Sequence, residues 1–297
     1  MRYSFILKLM LLPFLGMIFF SSAHAQSTSE EKGNGMFELH YSAVHFNSIY
    51  DNDGQKKPVP SASSTVLQCN FVYGIATKWN LLLNAPVLVQ NHSSADSNFI
   101  YSSSRSHSSV GDIEVGIRFV IPEKNHFKSA INFYEGLGTG ETQVGYGLNT
   151  GYGDFNQRLT FESAYKNSEN WFLLGMVGIN NHNKGFGDEG LAEVKLGGRF
   201  FKKVWLIARC GGVQPFENGD KSKLKYQQGN YIKDGLYYGL YSHDGGQWHY
   251  AFDLSCQVYK PIGVSLGYTG FIKGQYYPHA PIWSFSVFYK LTRSSEK

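Results

Sequence analysis

The sequence has little charge: Lys, Arg, Asp and Glu together make up 17% of its 297 residues, and the formal net charge is +4. Proteins that bind nucleic acid carry basic patches or stripes, commonly with aromatic side chains on which bases stack. No such stripe occurs along this chain. The composition therefore predicts no nucleic-acid partner.

Cysteine is scarce as well, with only Cys69, Cys210 and Cys256. These three residues are far apart and odd in number, which argues against a disulfide framework in an exported protein. The sequence has no C-x-x-C motif and no Cys/His cluster at ligand spacing. It therefore predicts neither a metal site nor another cofactor.

Long helical segments are the third absence. After the first 25 residues no apolar run is long enough to form a transmembrane helix. The chain is instead rich in residues that favour strands, tight turns and membrane interfaces, with 33 Gly, 20 Tyr and 22 Phe. This composition predicts an all-β protein.

The N-terminus has the features of a secretory signal peptide. Arg2 and Lys8 flank or enter an apolar run over residues 5–20, and Ala23-His24-Ala25 supplies the small-x-small cleavage pattern. A membrane anchor is the alternative, but Lys8, Pro13 and Gly16 interrupt a run that is barely long enough to span a bilayer. We predict a signal peptide over residues 1–25 and one mature domain over residues 26–297.

Polar and apolar side chains alternate from Gly111 to Val120. Successive side chains of an extended chain point to opposite faces, so Asp112, Glu114 and Arg118 share one face and the intervening apolar residues share the other. A soluble sandwich buries its apolar face in a core. A transmembrane barrel exposes the apolar face to lipid and lines its lumen with the polar face.

Twelve candidate strands follow one another, each near the ~10 residues that a tilted strand needs to cross a bilayer. They cover residues 37–45, 66–75, 80–90, 111–121, 127–137, 154–166, 171–181, 191–201, 204–213, 249–259, 263–272 and 282–291. Alternate connections are short and turn-like. The others are mostly longer and rich in Gly, Ser, Asn and Asp: 46–65, 91–110, 138–153, 182–190, 214–248 and 273–281.

Short periplasmic turns that alternate with long extracellular loops are typical of outer-membrane barrels. We therefore predict a single antiparallel transmembrane β-barrel of about 12 strands in the outer membrane of a Gram-negative cell. A large secreted β-sandwich is the alternative, but it does not require regular alternation of long and short loops.

Thirteen polar residues are predicted to line the lumen, as candidates for binding or permeation: Glu38, His40, Asp112, Glu114, Arg118, Arg158, Glu162, Lys166, Glu193, Lys195, Arg199, Arg209 and Asp253. Their mixed signs permit ion pairs across a hydrated lumen. The alternative is that these charges only stabilise the barrel wall. Strands near Leu82 and Leu174 are apolar on both faces, which predicts a partly apolar lumen.

Aromatic residues cluster near strand ends, where amphipathic rings would lie at the level of the lipid headgroups. They are Trp79, Tyr101, Tyr165, Trp171, Trp205, Trp248, Tyr259 and Trp283. The segment 214–248, with five tyrosines, is long enough to fold over the mouth as a gate.

Three motifs contain residue types that occur in metal or catalytic sites. Asp51-Asn52-Asp53-Gly54 begins like a calcium loop but lacks its third ligand and its final Glu, so a solvated turn is the better interpretation. His249 lies near His243 and Asp244 without a third ligand at metal spacing. His107 lies in a Ser-rich run, which leaves a barrel phospholipase as an alternative function that needs a base oriented by a third polar group.

Two segments resemble repeats of the outer-membrane transporters known as the MetA-pathway of phenol degradation family: NFVYGIATKWNLLLNAPVLV (70–89) and SSVGDIEVGIRFVI (108–121). This resemblance implies a barrel that passes small hydrophobic or aromatic compounds. It implies no catalytic residues.

We therefore expect a non-enzymatic channel or transporter with three partners: outer-membrane lipid, a small hydrophobic or aromatic solute, and the barrel-assembly machinery. The alternative in another class is an adhesin, receptor or structural barrel that transports nothing.

Overall fold

The computed structural model describes residues 30–94, 103–142, 148–183, 185–201, 203–219, 241 and 244–293. Among these residues no helix has the length and hydropathy needed to span a bilayer. The predicted signal peptide lies outside them.

The described residues form fourteen strands: β1 (Gly35–Tyr50), β2 (Lys56–Ala76), β3 (Trp79–Ser93), β4 (Arg105–Ser109), β5 (Ile113–Lys124), β6 (Phe127–Leu137), β7 (Asn156–Ser168), β8 (Trp171–His182), β9 (Glu189–Phe200), β10 (Val204–Pro215), β11 (Gly246–Tyr259), β12 (Ile262–Gln275), β13 (Tyr277–Pro278) and β14 (Ile282–Leu291).

The strands form one antiparallel sheet that closes on itself. β2 pairs with β3 and β3 with β5; the strands from β5 to β12 then pair in chain order, β12 pairs with β14, and β1 joins β14 to β2. β4 and β13 are short extensions that pair with β3 and β1 beyond the ends of β5 and β14. The wall of the described barrel thus has twelve strands, and each of the twelve predicted strands corresponds to one of them.

Five tight connections lie at one end of the barrel, at residues 77–78, 125–126, 169–170, 201–203 and 260–261. β1 begins and β14 ends at this same end, because Gly35 pairs with Leu291. The arrangement matches the predicted periplasmic turns.

The prediction of a long loop over residues 46–65 is wrong. β1 and β2 stay paired from Val44↔Ser64 to Tyr50↔Lys56, so only residues 51–55 connect them. Backbone hydrogen bonds form there regardless of the side chains. Because the run SASST is polar, the sequence pattern gave no sign of a strand. β2 has 21 residues, about twice the ~10 needed to cross a bilayer, so the wall extends beyond the membrane.

Side chains alternate across the wall as predicted. Phe161 and Phe252 are 44% and 50% exposed on the outside, whereas Arg158 is only 3% exposed and points inward. An apolar belt facing outward and a polar lining facing inward is the transmembrane arrangement, because backbone pairing in a closed sheet leaves no polar edge in lipid. The soluble sandwich is therefore excluded.

Most of the predicted aromatic residues do lie on the outer face. Trp79, Trp171, Trp248, Tyr259 and Trp283 are exposed, and Tyr165 is half-buried; Tyr101 lies outside the described residues. Trp205 is the exception: it is buried inside the barrel, where its ring centroid lies 5.8 Å from that of Phe172. In β10 it shares the inward face with Ile207 and Arg209, so the position of a Trp near a strand end did not reveal the face.

Candidate functional site

The lumen contains a belt of paired charges on one side of the wall, formed by β5, β6 and β7. The Arg158 guanidinium binds both carboxylate oxygens of Glu114 at 2.9 Å. Arg118 lies 3.2 Å from Glu162 and donates a hydrogen bond of 2.7 Å to Asn132 of β6. Such charge-assisted bonds are strong where water is largely excluded.

A second group of charges lies on β9, β10 and β11. Arg209 donates to both oxygens of Asp253, at 2.7 Å and 3.1 Å, and lies 3.7 Å from Glu193. Glu193 is also 3.0 Å from Lys195 and 3.6 Å from His249. We call the two groups together the charged belt: Glu114, Arg118, Arg158, Glu162, Glu193, Lys195, Arg209 and Asp253.

The lining of β1, β2 and β14 is polar but has fewer ion pairs. Glu38, 1% exposed, accepts a hydrogen bond of 3.1 Å from Asn70. His40 Nδ1 lies 2.7 Å from Ser286 Oγ. These two predicted residues therefore lie inside the barrel and form hydrogen bonds with uncharged side chains.

The ion pairs of the charged belt run along the wall, whereas the mixed charges had suggested pairs across the lumen. Arg158 and Glu114 stand on β7 and β5, on either side of β6, and the guanidinium lies 4.3 Å from the centroid of the Tyr134 ring on that strand. Arg209 and Asp253 stand on adjacent strands. Side chains of this length reach the next or second strand more easily than the opposite wall.

Lys166 and Arg199 do not belong to the belt. Both lie near the periplasmic ends of their strands, and Arg199 binds Glu169 and Asn170 of the β7–β8 turn. The alternation of the strands identified their face but not their depth in the barrel.

Asp112 lies between β4 and β5, although the sequence predicted it within a strand. Its carboxylate accepts N–H groups of Gly140, Tyr152 and Gly153 at 2.7, 2.6 and 3.2 Å. Burial raises the pKa of Asp112 to about 6, and the three N–H donors act in the opposite direction. The side chain ties the loop after β6 to the wall at the extracellular mouth.

An apolar patch lines one side of the lumen below the belt, on β8 and β10 near the periplasmic end. It consists of Phe172, Leu174, Trp205 and Ile207, and we call it the lower apolar layer. Phe172 fits because Gly197 on β9 has no side chain: a Cβ there would overlap the Phe172 ring. This layer agrees with the prediction of a partly apolar lumen.

A cavity of about 80 Å³ lies above the belt, near the extracellular mouth. Its lining includes Glu114, Arg158, Asn156, His182, Tyr152 and Tyr241. By this measure a water needs about 10–15 Å³, so several waters or one small solute fit. Asn156 Oδ1 is buried without a hydrogen-bond partner among the described residues.

Tyr152 and Tyr241 line this cavity and Phe186 packs against Tyr152; we call these three residues the aromatic cover. The Tyr152 ring centroid lies 5.1 Å from that of Tyr241 and 4.7 Å from that of Phe186. The Tyr241 hydroxyl donates to Thr150 O at 3.1 Å. Of the five tyrosines predicted as a gate, Tyr241 does reach the mouth; Tyr226, Tyr231, Tyr237 and Tyr238 lie outside the described residues.

His182 is a lumen residue that sequence reasoning missed. Its Nδ1 lies 3.2 Å from Asp154 Oδ2 and its Nε2 lies 3.5 Å from Glu189 Oε2. The partner residues come from a loop and from the start of β9. Only the alternation of β8, which places Asn180 and His182 on one face, offered a signal.

The calcium-loop-like turn and the Ser-rich run have other contacts. His107 Nε2 lies 3.1 Å from Glu141, and Ser109 donates to the same carboxylate, so the serine contacts the acid instead of the imidazole. Asp51 accepts N–H groups of Asp53 and Gln55 and thereby closes its own turn. Within the described ranges no group of three His, Cys, Asp or Glu residues is arranged to hold a metal.

The crystal structure of the COG4313 outer membrane channel from Pseudomonas putida F1 superposes on 92% of this chain and 100% of that chain, with a TM-score of 0.66 and 13% identity. This chain has the fold of an outer-membrane channel. The barrel implied by the resemblance to the MetA-pathway family is thus confirmed.

Two further structures are more distant. The alignment with the CymD monoaromatic hydrocarbon channel covers 90% of this chain and 90% of that chain, with a TM-score of 0.44 and 9% identity. The alignment with the KdgM porin covers 86% of this chain and 98% of that chain, with a TM-score of 0.45 and 9% identity. No family model and no curated protein matches the sequence.

Proposed function

We propose that this protein is a non-enzymatic outer-membrane channel for small hydrophobic or aromatic compounds. Residues 1–25 would direct export and be removed, and the barrel-assembly machinery would insert residues 26–297. The observation that carries the proposal is the layered lumen: an aromatic cover over a cavity, the charged belt, and the lower apolar layer.

The cavity supports an aromatic solute with a polar group. Tyr152 and Tyr241 offer ring faces and edges, which favour a second aromatic ring over a saturated one. Below them, Arg158 and the unpartnered Asn156 Oδ1 offer a donor and an acceptor. A solute with one apolar ring and one hydroxyl would satisfy both kinds of contact.

The charged belt supports passage of single small molecules instead of bulk solvent flow. Its pairs are bound along the wall, so the axis of the lumen is lined by groups that are already neutralised. A solute can then exchange hydrogen bonds with the lining without facing an excess of one sign.

Current through single barrels in a planar bilayer tests this function. Purified protein should give a small, steady ion conductance, and phenol added on the extracellular side should reduce it in a saturable way. Cyclohexanol, of nearly the same shape without the ring electrons, should reduce it several-fold less.

Variants of the aromatic cover sharpen the test. Tyr241→Ala should raise the conductance and weaken block by phenol. Tyr259→Ala, which removes an exposed tyrosine from the outer face near the periplasmic end, should change neither. A barrel that is folded but passes no current with or without Tyr241 would contradict a channel and support the receptor alternative.

A further inference from the structure

A groove opens on the outer surface of the barrel wall, on the extracellular side. The ladder between β1 and the last strands is interrupted between the pairs Ala43↔Trp283 and Ile49↔Pro278. His279, Ala280 and Pro281 bridge this interruption. The resulting groove has a volume of about 780 Å³ and extends from β1 and β2 to β11 and β12.

The groove is basic. Lys56, Lys57, His45 and His279 line it, and no Asp or Glu is among its described lining residues. Lys57 Nζ lies 3.6 Å from Asp51 Oδ2 at the edge of the groove, so its charge is partly balanced. Burial and the neighbouring Lys56 lower the pKa of His279, and Lys56 and Lys57 supply positive charge to the groove.

The membrane side of the groove is aromatic. Tyr250 and Tyr268 line it, and the Tyr268 ring centroid lies 4.9 Å from that of Trp283. All three rings are on the outer face, in the region where a barrel meets the lipid headgroups. The lysines lie on the start of β2, which continues beyond this level and pairs there with the end of β1.

We propose that the groove binds a phosphorylated glycolipid of the outer leaflet. A phosphate would contact Lys56 and Lys57, the sugar to which it is attached would lie against the Tyr250 and Tyr268 rings, and the acyl chains would continue down the apolar outer wall. Each level of the groove matches one part of such a lipid: cationic above, aromatic at the interface, apolar below. This site is independent of the lumen and of solute passage.

Native mass spectrometry of the full barrel in detergent tests the proposal with rough lipopolysaccharide that carries a bisphosphorylated lipid A. The wild type should retain one lipid molecule. A lysine near an anionic surface contributes about fivefold in affinity, so the double variant Lys56→Ala, Lys57→Ala should bind about 25-fold more weakly. Tyr268→Ala should weaken binding as well.

Three comparisons keep the outcome decisive. The double variant Lys124→Ala, Lys128→Ala removes the same charge from the periplasmic β5–β6 hairpin and should bind like the wild type. Dephosphorylated lipid A should bind poorly to all variants, and millimolar inorganic phosphate should not displace the lipid. Equal binding by the Lys56/Lys57 variant, equal binding of dephosphorylated lipid, or displacement by free phosphate would overturn the proposal, provided that heat-modifiable migration shows each barrel to be folded.

Discussion

Arg158 of β7 and Glu114 of β5 form a two-point ion pair inside the barrel, with both N···O distances at 2.9 Å. The pair passes over Tyr134 of the strand between them, whose ring supports the guanidinium. Two charges from one wall thus neutralise each other beside the lumen. The charged belt consists of ion pairs of this kind, between side chains on the same part of the wall.

Arg158→Ala should destabilise the barrel by about 3 kcal/mol, because it leaves the Glu114 carboxylate largely buried without its partner. The free energy of unfolding from lipid vesicles in guanidinium measures the loss. Arg199→Ala, which removes an arginine from the more exposed periplasmic end, should cost about 0–1 kcal/mol. Equal costs for the two variants would show that the lumen is fully hydrated at Arg158.

Gly197→Ala should destabilise the barrel by about 1–3 kcal/mol, because the added methyl group would overlap the Phe172 ring. The double variant Gly197→Ala, Phe172→Leu should recover part of this loss in the same unfolding measurement. Gly175→Ala is the matched control, since a Cβ there meets nothing within 4 Å. No recovery in the double variant would mean that the clash is not the cause.

Phe161→Arg should cost about 2–4 kcal/mol in vesicles, the value for a cation on the lipid face at the bilayer midplane. Phe127→Arg, on the same face beside the periplasmic β5–β6 turn, should cost about 0–1 kcal/mol. Unfolding in guanidinium from phosphatidylcholine vesicles compares the two. If both substitutions were harmless, the outer face of β7 would not lie in hydrocarbon.

Asp112 should make the mouth loop less stable as the pH rises. Its pKa is raised to about 6 in the folded loop, so the folded state holds the proton more tightly than the unfolded chain does. Stability from this group is present below the unfolded pKa and is lost as the pH rises through about 6. Amide exchange at Tyr152 and Gly153, corrected for intrinsic rates, should show protection falling between pH 4 and pH 7.

Asp112→Asn keeps an acceptor for the loop N–H groups and cannot ionise. It should therefore abolish this pH dependence while it leaves the loop in place. Protection that rises with pH in the wild type, or an unchanged profile in the variant, would contradict the assignment to Asp112.

The sequence by itself determined the barrel and the direction of its faces. A period of two in residues such as Glu38 and His40, or Glu193 and Lys195, can be satisfied only by strands, and the regular tight turns set their number. The regular alternation of short and long connections then favoured a barrel in lipid over a soluble sandwich. These patterns involve residues that are close in the sequence, so they can be recognised without knowledge of the fold.

Only the tertiary structure decided where along the lumen each group lies and what it contacts. Lys166 and Arg209 look alike in the alternation, yet one lies near the periplasmic end and the other binds Asp253 in the belt. Asp154, His182 and Glu189 meet through a loop and two strand ends, and the basic groove forms where β13 and β14 part from each other. Strand register and loop packing bring these residues together over long sequence distances, because closure of a sheet fixes partners that no local pattern encodes.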